Sequence, residues 1–340
     1  MNETQFIKRP ADRAAWLAAR LPYYGQSQVG AIFNLSPWET PIDLFLEKTG
    51  RRVREDEPTD AMLLGIELEG YAARRYAEKT GRRVRNYGYM VVRGHALADV
   101  DRLVVPDGEK VASHHAEIRA AGILECKTAR DEWRDEVPLH YQLQAQGYCE
   151  ILDLPWCDFS VVFKNTSAHR CPADPGWDFL RVERDRAVGA RIMREIEAFA
   201  ELVARDEPPP VNGLADVRAL YPNARPESRM DATPELLGLL RDLREKEAAR
   251  KALEDEADAL KGKIAAAMGD AEALVDGKVK LCTFKAPKPT ERIDYKAALV
   301  QTAEEFHLDP VRVGQIVHAN GTIVNPARRF LLCAEKGDAK

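Results

Sequence analysis

The sequence predicts an α/β fold followed by a helical and small β C-terminal extension, and three observations predict it. From residue 11 to about 203, apolar helical stretches alternate with short strand-like runs, the pattern of an α/β unit. Between 205 and 230 the chain turns to a Pro208-Pro209-Pro210 run, Gly213, Pro222 and Pro226, which cannot continue a helix. Beyond it, residues 234–268 are rich in strong helix formers and lead into a hairpin signal. At 340 residues two unequal domains are expected: a core over 1–204, a Pro-rich linker over 205–232, and a helical arm with a small β-containing region over 233–340.

Composition excludes several classes. A hydrophobic share of 45% and a charged share of 31% are those of a soluble globular chain. No apolar run approaches the roughly eighteen residues of a spanning helix, so no membrane partner is expected. The opening MNETQFIKRP lacks the apolar stretch of a signal peptide, and the six cysteines include no CxxC pair. A reducing cytoplasm fits, and an iron-sulfur cluster or zinc module does not. No GxGxxG follows a strand, which removes a dinucleotide-dependent oxidoreductase. The net charge of -5 counts against phosphate neutralisation, yet basic pairs recur at Arg51-Arg52, Arg74-Arg75 and Arg82-Arg83. These are either a phosphate-facing surface or solvated helix ends.

The elements that carry chemistry follow in order. In the helix over 61–79, Met62, Ile66, Ala73 and Tyr76 form one stripe, with Glu69 in its middle and Glu67 pointing away. A carboxylate facing a core is costly unless it is paired or ligates a cation, so Glu69 is either a buried salt bridge or the lining of a site. Residues 98–104 read as a strand carrying Asp99 and Asp101 on one face, either of which offers a hard oxygen ligand of the kind Mg²⁺ takes. In the strand Gly122 to Thr128, side chains two apart point the same way, so Glu125 and Lys127 share a face. That pair suits metal-assisted hydrolysis, although such a triplet also occurs by chance in many surface strands. In the helix opened by Pro138, Tyr141, Gln144, Ala145 and Tyr148 share a face. Gln144 is polar on an otherwise apolar face and needs a partner, at the site or on the backbone.

Past the linker, Leu236, Leu243, Ala257 and Ile264 fall at heptad spacing, and Arg250 interrupts the seam. A helical arm or hairpin is expected rather than a long coiled coil. A hairpin about Asp276-Gly277, a helix near 294–305 and a last strand at RRFLLC complete the chain.

The ordered set Gly65-Ile66-Glu67-Leu68-Glu69, Asp101, Glu125-Cys126-Lys127 and Tyr141-x-x-Gln144-x-Gln146 resembles the YqaJ-type viral recombinases, relatives of the lambda exonuclease in the PD-(D/E)xK nuclease superfamily. The stretch from Gly25 to Trp38 and Lys48-Thr49-Gly50 resemble that family's opening motif, and the resemblance spans about residues 18 to 165. It implies a restriction-endonuclease-like core with a central mixed sheet flanked by helices. It also implies Mg²⁺, with Mn²⁺ as an alternative ion, held by Asp101, Glu125 and the backbone carbonyl of Cys126, with Glu69 completing the site directly or through water. By the same resemblance Lys127 positions the attacking water, Gln144 assists it, Tyr141 meets substrate, and Arg20 and Ser27 match the recognition of a 5′-phosphate. Two departures stand out. Gln28 replaces an acid that usually follows the opening serine, and the connection from Asp101 to Glu125 is long, an extended hairpin whose His114 and His115 face solvent.

The implied activity is a 5′-to-3′ exonuclease on double-stranded DNA ends, leaving 3′ single strands for phage-type recombination in a bacterial cytoplasm. The implied partners are a single-strand annealing protein and further copies of the chain, in a ring trimer. An endonuclease or single-strand nuclease on the same core is the alternative enzyme, and a non-catalytic DNA-binding or assembly module the alternative of another class.

Overall fold

The computed structural model describes residues 4–52, 59–110, 118–133, 136–164, 176–225, 227–286 and 295–319. The chain divides into two units, Met1–Pro222 and Asn223–Lys340. In the first, strand β1 (Thr4–Lys8) leads to helix α1 (Arg13–Arg20), the short strand β2 (Tyr24–Gly25), a 3-10 turn at Gln26–Gln28, and helices α2 (Val29–Ile32), α3 (Pro41–Lys48) and α4 (Asp60–Thr80). Strands β3 (Val84–Asn86), β4 (Tyr89–Arg93), β5 (Ala96–Ala98), β6 (Arg102–Val104) and β7 (Gly122–Ala129) follow. Helix α5 (Leu139–Leu152), strands β8 (Trp156–Phe163) and β9 (Gly176–Glu183), and helices α6 (Arg186–Arg205) and α7 (Leu214–Leu220) close the unit. This is the mixed α/β architecture that the alternation predicts.

Local chemistry sets the helix starts. Thr40 and Asp43 form a reciprocal capping box on α3, with Pro41 in the first turn. Thr59 accepts from the Met62 amide at the start of α4, and Asp185 accepts from Ala187 and Val188 at the start of α6.

Two sheets share the unit. One has the order β1-β4-β5-β2 and the other β3-β6-β7-β8-β9. Within the second, β7 and β8 run parallel while β6-β7 and β8-β9 are antiparallel. Every residue of β8 is buried, as a central strand covered on both faces requires. Its Asp158 is tolerated there because Arg181 donates two hydrogen bonds, at 2.7 and 2.8 Å, and the Tyr76 hydroxyl a third at 2.6 Å. The Arg181 guanidinium also lies 3.8 Å over the Trp156 ring.

Four points differ from the sequence reading. Residues 98–104 are not one strand: β5 belongs to the first sheet and β6 to the second, so Asp99 and Asp101 sit in the crossing between them. The stripe of α4 is apolar in sequence but buried only in its second half. Ala73 and Tyr76 are covered, whereas Met62 and Ile66 are 52% and 57% exposed. The helix packs on β7 and β8, with Gly65 against Thr128 near the end of β7. Strand β1 was not read from the sequence, because it is completed by register with β4, Thr4 opposite Arg93 and Lys8 opposite Tyr89. The proline-rich stretch, read as a linker, holds helix α7, which packs on α3 within the first unit.

In the second unit, helix α8 (Pro234–Met268) runs without a break for 35 residues. This is the arm of the two forms expected, and Arg250, where the apolar seam breaks, bridges Glu247 at 2.7 Å and Glu254 at 2.6 Å on one helical face. Strands β10 (Ala273–Asp276) and β11 (Val279–Thr283) form the hairpin about Asp276-Gly277, and helices α9 (Tyr295–Glu305) and α10 (Pro310–Ala319) follow. The last of these had no sequence signal. The RRFLLC segment and His114 and His115 lie outside the described residues. Among the described residues no helix is long and apolar enough to cross a membrane.

Gly122 opens β7 because nothing larger fits: a Cβ there would meet the Trp156 ring at 2.4 Å. Gly122→Ala is expected to destabilise the protein by about 1–3 kcal/mol through overpacking. Urea denaturation measures it, and an unchanged midpoint would contradict the packing described.

Candidate active site

Strand alternation places Glu125 and Lys127 on one face of β7, and the two side chains meet there, with Lys127 Nζ 2.7 Å from Glu125 Oε1. Glu125 is 3% exposed. Gln144, one turn of α5 before Tyr148, donates from Nε2 to the same oxygen at 2.8 Å and to the Tyr148 hydroxyl at 3.0 Å. Tyr148 in turn donates to the Asp99 carbonyl at 3.1 Å, which ties the helix to the crossing between the sheets. The second carboxylate oxygen, Oε2, is buried and has no hydrogen-bond partner among the described residues.

The crossing resolves which aspartate faces this centre. Asp101 accepts from the Cys126 amide at 2.8 Å, directly beside Glu125 in the strand. Asp99 points elsewhere: Arg9 and Trp16 hold it, the indole N–H at 2.8 Å, and Arg20 pairs with it at 2.7 Å. Glu69 lies near Asp101 but is a half-exposed ion pair rather than a core-facing acid, its carboxylate 2.5 Å from Arg102. Arg102 also donates to the Asp101 carbonyl at 2.7 Å. Glu69 is thus in an ion pair, half-exposed rather than buried.

Electrostatics follow from this crowding. Burial raises the Asp101 pKa, and the neighbouring Glu125 charge raises it further, while Lys127 opposes both. Burial alone would lower the Lys127 pKa, but Glu125 and Asp101 outweigh it and hold the ammonium charged. The Cys126 thiol is pushed up by burial and by both acids, so it is neither a nucleophile nor a soft ligand.

These residues fit a hard divalent cation. Two acids of like charge converge, one buried oxygen lacks a partner, and the donors are oxygens alone. Among the described residues no group of three or more His, Cys, Asp or Glu side chains is arranged around one point. A Mg²⁺ ion is held by one or two carboxylates, with water and substrate phosphate supplying the rest.

A cleft of about 550 Å³ opens beside the centre, lined by Ser27, Trp38, Arg52, Lys127, His140 and Tyr141 among others. The Tyr141 ring carries the Lys127 ammonium 5.1 Å from its centroid. Ser27 and Arg52 also line an adjoining pocket of about 370 Å³ with Arg20 and Lys48. Arg20 and Ser27 are thus brought to the same place, although the Arg20 charge is already engaged by Asp99. Gln28 accepts from the Gly25 amide at 3.3 Å and donates to Glu47 at 3.5 Å. Sequence reasoning missed Arg102 and Trp38 as site residues, and named Arg52 only within a basic pair. No periodicity marks them, since each reaches the site through a fold contact rather than through its own element.

Residues 15–153 match the YqaJ-like viral recombinase domain. The YqaJ protein of Bacillus subtilis (strain 168) is 27% identical over 300 residues, 84% of this chain and 86% of that protein. The alkaline exonuclease LHK-Exo of Laribacter hongkongensis aligns with 25% identity and a TM-score of 0.43, over 57% of this chain and 93% of that one. A phage related exonuclease from Haemophilus somnus 129PT aligns with 13% identity and a TM-score of 0.37, over 54% of this chain and 96% of that one.

The raised Asp101 pKa has a sign that can be tested. Its folded value lies above the unfolded one, so its contribution to stability is full below the unfolded pKa and is lost as pH rises through the folded pKa. In EDTA the Tm should fall as pH rises through neutrality, and Mg²⁺ should restore it most at the alkaline end. Asp101→Asn should stabilise the metal-free protein at pH 8 by on the order of 1 kcal/mol and remove the Mg²⁺ response. Thermal melts of both proteins with and without Mg²⁺ decide it, and an Asn variant that still responds to the ion would exclude Asp101 as a ligand.

Proposed function

We propose, from the YqaJ-like viral recombinase domain that this chain carries, that the protein is a metal-dependent deoxyribonuclease on a restriction-endonuclease-like core, working as a 5′-to-3′ exonuclease on double-stranded ends. The observation that carries this reading is the arrangement of Glu125: one oxygen is fixed by Lys127 and Gln144, and the other is buried and unpartnered beside Asp101. The second acid, Asp101, is what an isolated structural ion pair would lack.

Asp101, Glu125 and the Cys126 backbone carbonyl would hold the ion, with Glu69 reaching it through water after partial release from Arg102. A divalent cation bound there supplies charge stabilisation at the phosphate oxygens and a lowered pKa for the attacking water. The chain's own residues do the rest. Gln144 locks the Glu125 rotamer, so the open oxygen keeps its aim. Lys127 is charged and lies 2.7 Å from Glu125, which places its ammonium to orient water and offset charge on the phosphate. Tyr141 supports that ammonium from below and lines the substrate cleft. Arg20 and Ser27, in the adjoining pocket, are the groups for a 5′-terminal phosphate, and Arg52 adds a cation at its shared wall.

The product would be a duplex with 3′ single-stranded tails, the substrate of a single-strand annealing protein. A ring trimer is the assembly this activity would use to stay on DNA.

The test incubates purified protein with linear duplexes bearing 5′-phosphate or 5′-hydroxyl ends and with closed circles, in Mg²⁺, Mn²⁺ or EDTA. The expected outcome is loss of linear DNA alone, faster from the phosphorylated end, and no reaction in EDTA. Cut circles would move the assignment to an endonuclease, and intact DNA in every lane would leave a binding module. Lys127→Ala should lower kcat by on the order of 10²–10³-fold with an unchanged fold.

A further inference from the structure

Trp38 has no part in the chemistry above, yet it stands at the mouth of the cleft with most of its surface in solvent. It is 70% exposed, while Trp16, Trp133, Trp156 and Trp177 are all covered or half-covered. Leaving a large aromatic face in water forgoes the area burial that normally fixes such a side chain. The chain nevertheless spends structure on holding it there. The Leu35 and Ser36 amides both donate to the Gly30 carbonyl, at 2.7 and 2.9 Å, and Ser36 Oγ accepts from the Trp38 and Glu39 amides at 3.2 and 3.3 Å. Gly30 is required for this loop to close on α5, because a Cβ there would lie 3.1 Å from His140 Cβ and 3.6 Å from Ser36 Cβ.

The loop sets the Trp38 ring edge-on to His140, with centroids 4.9 Å apart, and 6.0 Å from Tyr141. His140 and Tyr141 are themselves 4.1 Å apart, and Trp133 backs Tyr141 at 5.2 Å. The series ends at Lys127, whose ammonium lies over Tyr141. One side of the cleft is therefore a run of π-faces leading from solvent to the catalytic centre. The space beside it is of small-ligand size, enough for one nucleotide.

We infer that Trp38, backed by His140 and Tyr141, is a stacking platform for the nucleobase next to the phosphate held at Glu125 and Lys127, a binding role that rests on the nuclease reading for its phosphate. Every base offers a π-face, so this contact selects for the presence of a base and not for its identity. It also explains why the cleft combines a charged end with an aromatic mouth: the phosphate is read at one and the base at the other.

The test separates binding from turnover. A short DNA duplex with a 5′-phosphate and 2-aminopurine as the 5′-terminal base is titrated with protein in Ca²⁺, and the 2-aminopurine fluorescence is read. The expected result is quenching by the wild type and by Trp38→Phe, and no quenching by Trp38→Ala, with affinity for Trp38→Ala weaker by about 5- to 150-fold. Replacing the terminal base by an abasic sugar should weaken the wild type by the same factor and leave Trp38→Ala unaffected. Equal binding by wild type and Trp38→Ala overturns the platform, as does a base-removal penalty that Trp38→Ala still suffers in full, a Phe variant as weak as Ala, or no binding by the wild type. The same samples moved into Mg²⁺ report on the nuclease reading alone. Quenching without digestion would sink that reading and keep the platform, and digestion indifferent to the terminal base would do the reverse.

Discussion

Two carboxylates of like charge, Glu125 fully buried and Asp101 partly so, are pressed together with one ammonium to offset them. In a low-dielectric setting such a pair repels, and the fold must impose the contact. It does so from three directions. Strand β7 supplies Glu125 and Lys127, the crossing from one sheet to the other supplies Asp101, and α5 supplies Gln144 and Tyr148 as braces. The surrounding core, with Ile123, Leu124 and Phe159 fully covered, gives those elements no freedom to relax apart. The contact costs stability, which is the usual relation between a preorganised site and the scaffold that carries it.

How much of this was legible depended on distance along the chain. Glu125 and Lys127 were readable because strand alternation is local, and Gln144 because a polar residue on an apolar helical face demands a partner. Choosing Asp101 over Asp99 was beyond spacing. That choice is made by Arg9, Arg20 and Trp16, which lie some eighty or ninety positions earlier and take Asp99 for themselves. The Glu69 stripe shows a different limit: periodicity tells which residues share a face, but not how much of that face is covered. Met62 and Ile66 stay exposed. Helix α8 was legible as a helix, yet its continuity was not, because Arg250 acts through ion pairs with Glu247 and Glu254 rather than through the apolar seam it breaks.

The net acidic charge of a chain proposed to act on DNA also has a structural setting. The basic pairs of the first quarter are largely spent internally: Arg51 pairs with Asp206, Arg52 with Asp43, and Arg82 with Asp158, while Arg75 lies over Trp177. They hold elements together more than they advertise a phosphate surface. Arg52 is the exception in place, since it lines the cleft as well.

The parallel pairing of β7 and β8 has one more consequence. Parallel neighbours need a crossover, and here the crossover is α5, so Glu125, Lys127, Gln144 and Tyr141 all belong to one strand-helix-strand unit spanning residues 122–163. Contacts within so short a stretch cost little loop-closure entropy and can form before the rest of the domain has been gathered in. The distances among those four groups would be set early in folding, within a single motif. Asp101 and the opening-motif loop, which arrive from earlier in the chain, are the parts that could drift in relatives without disturbing that spacing.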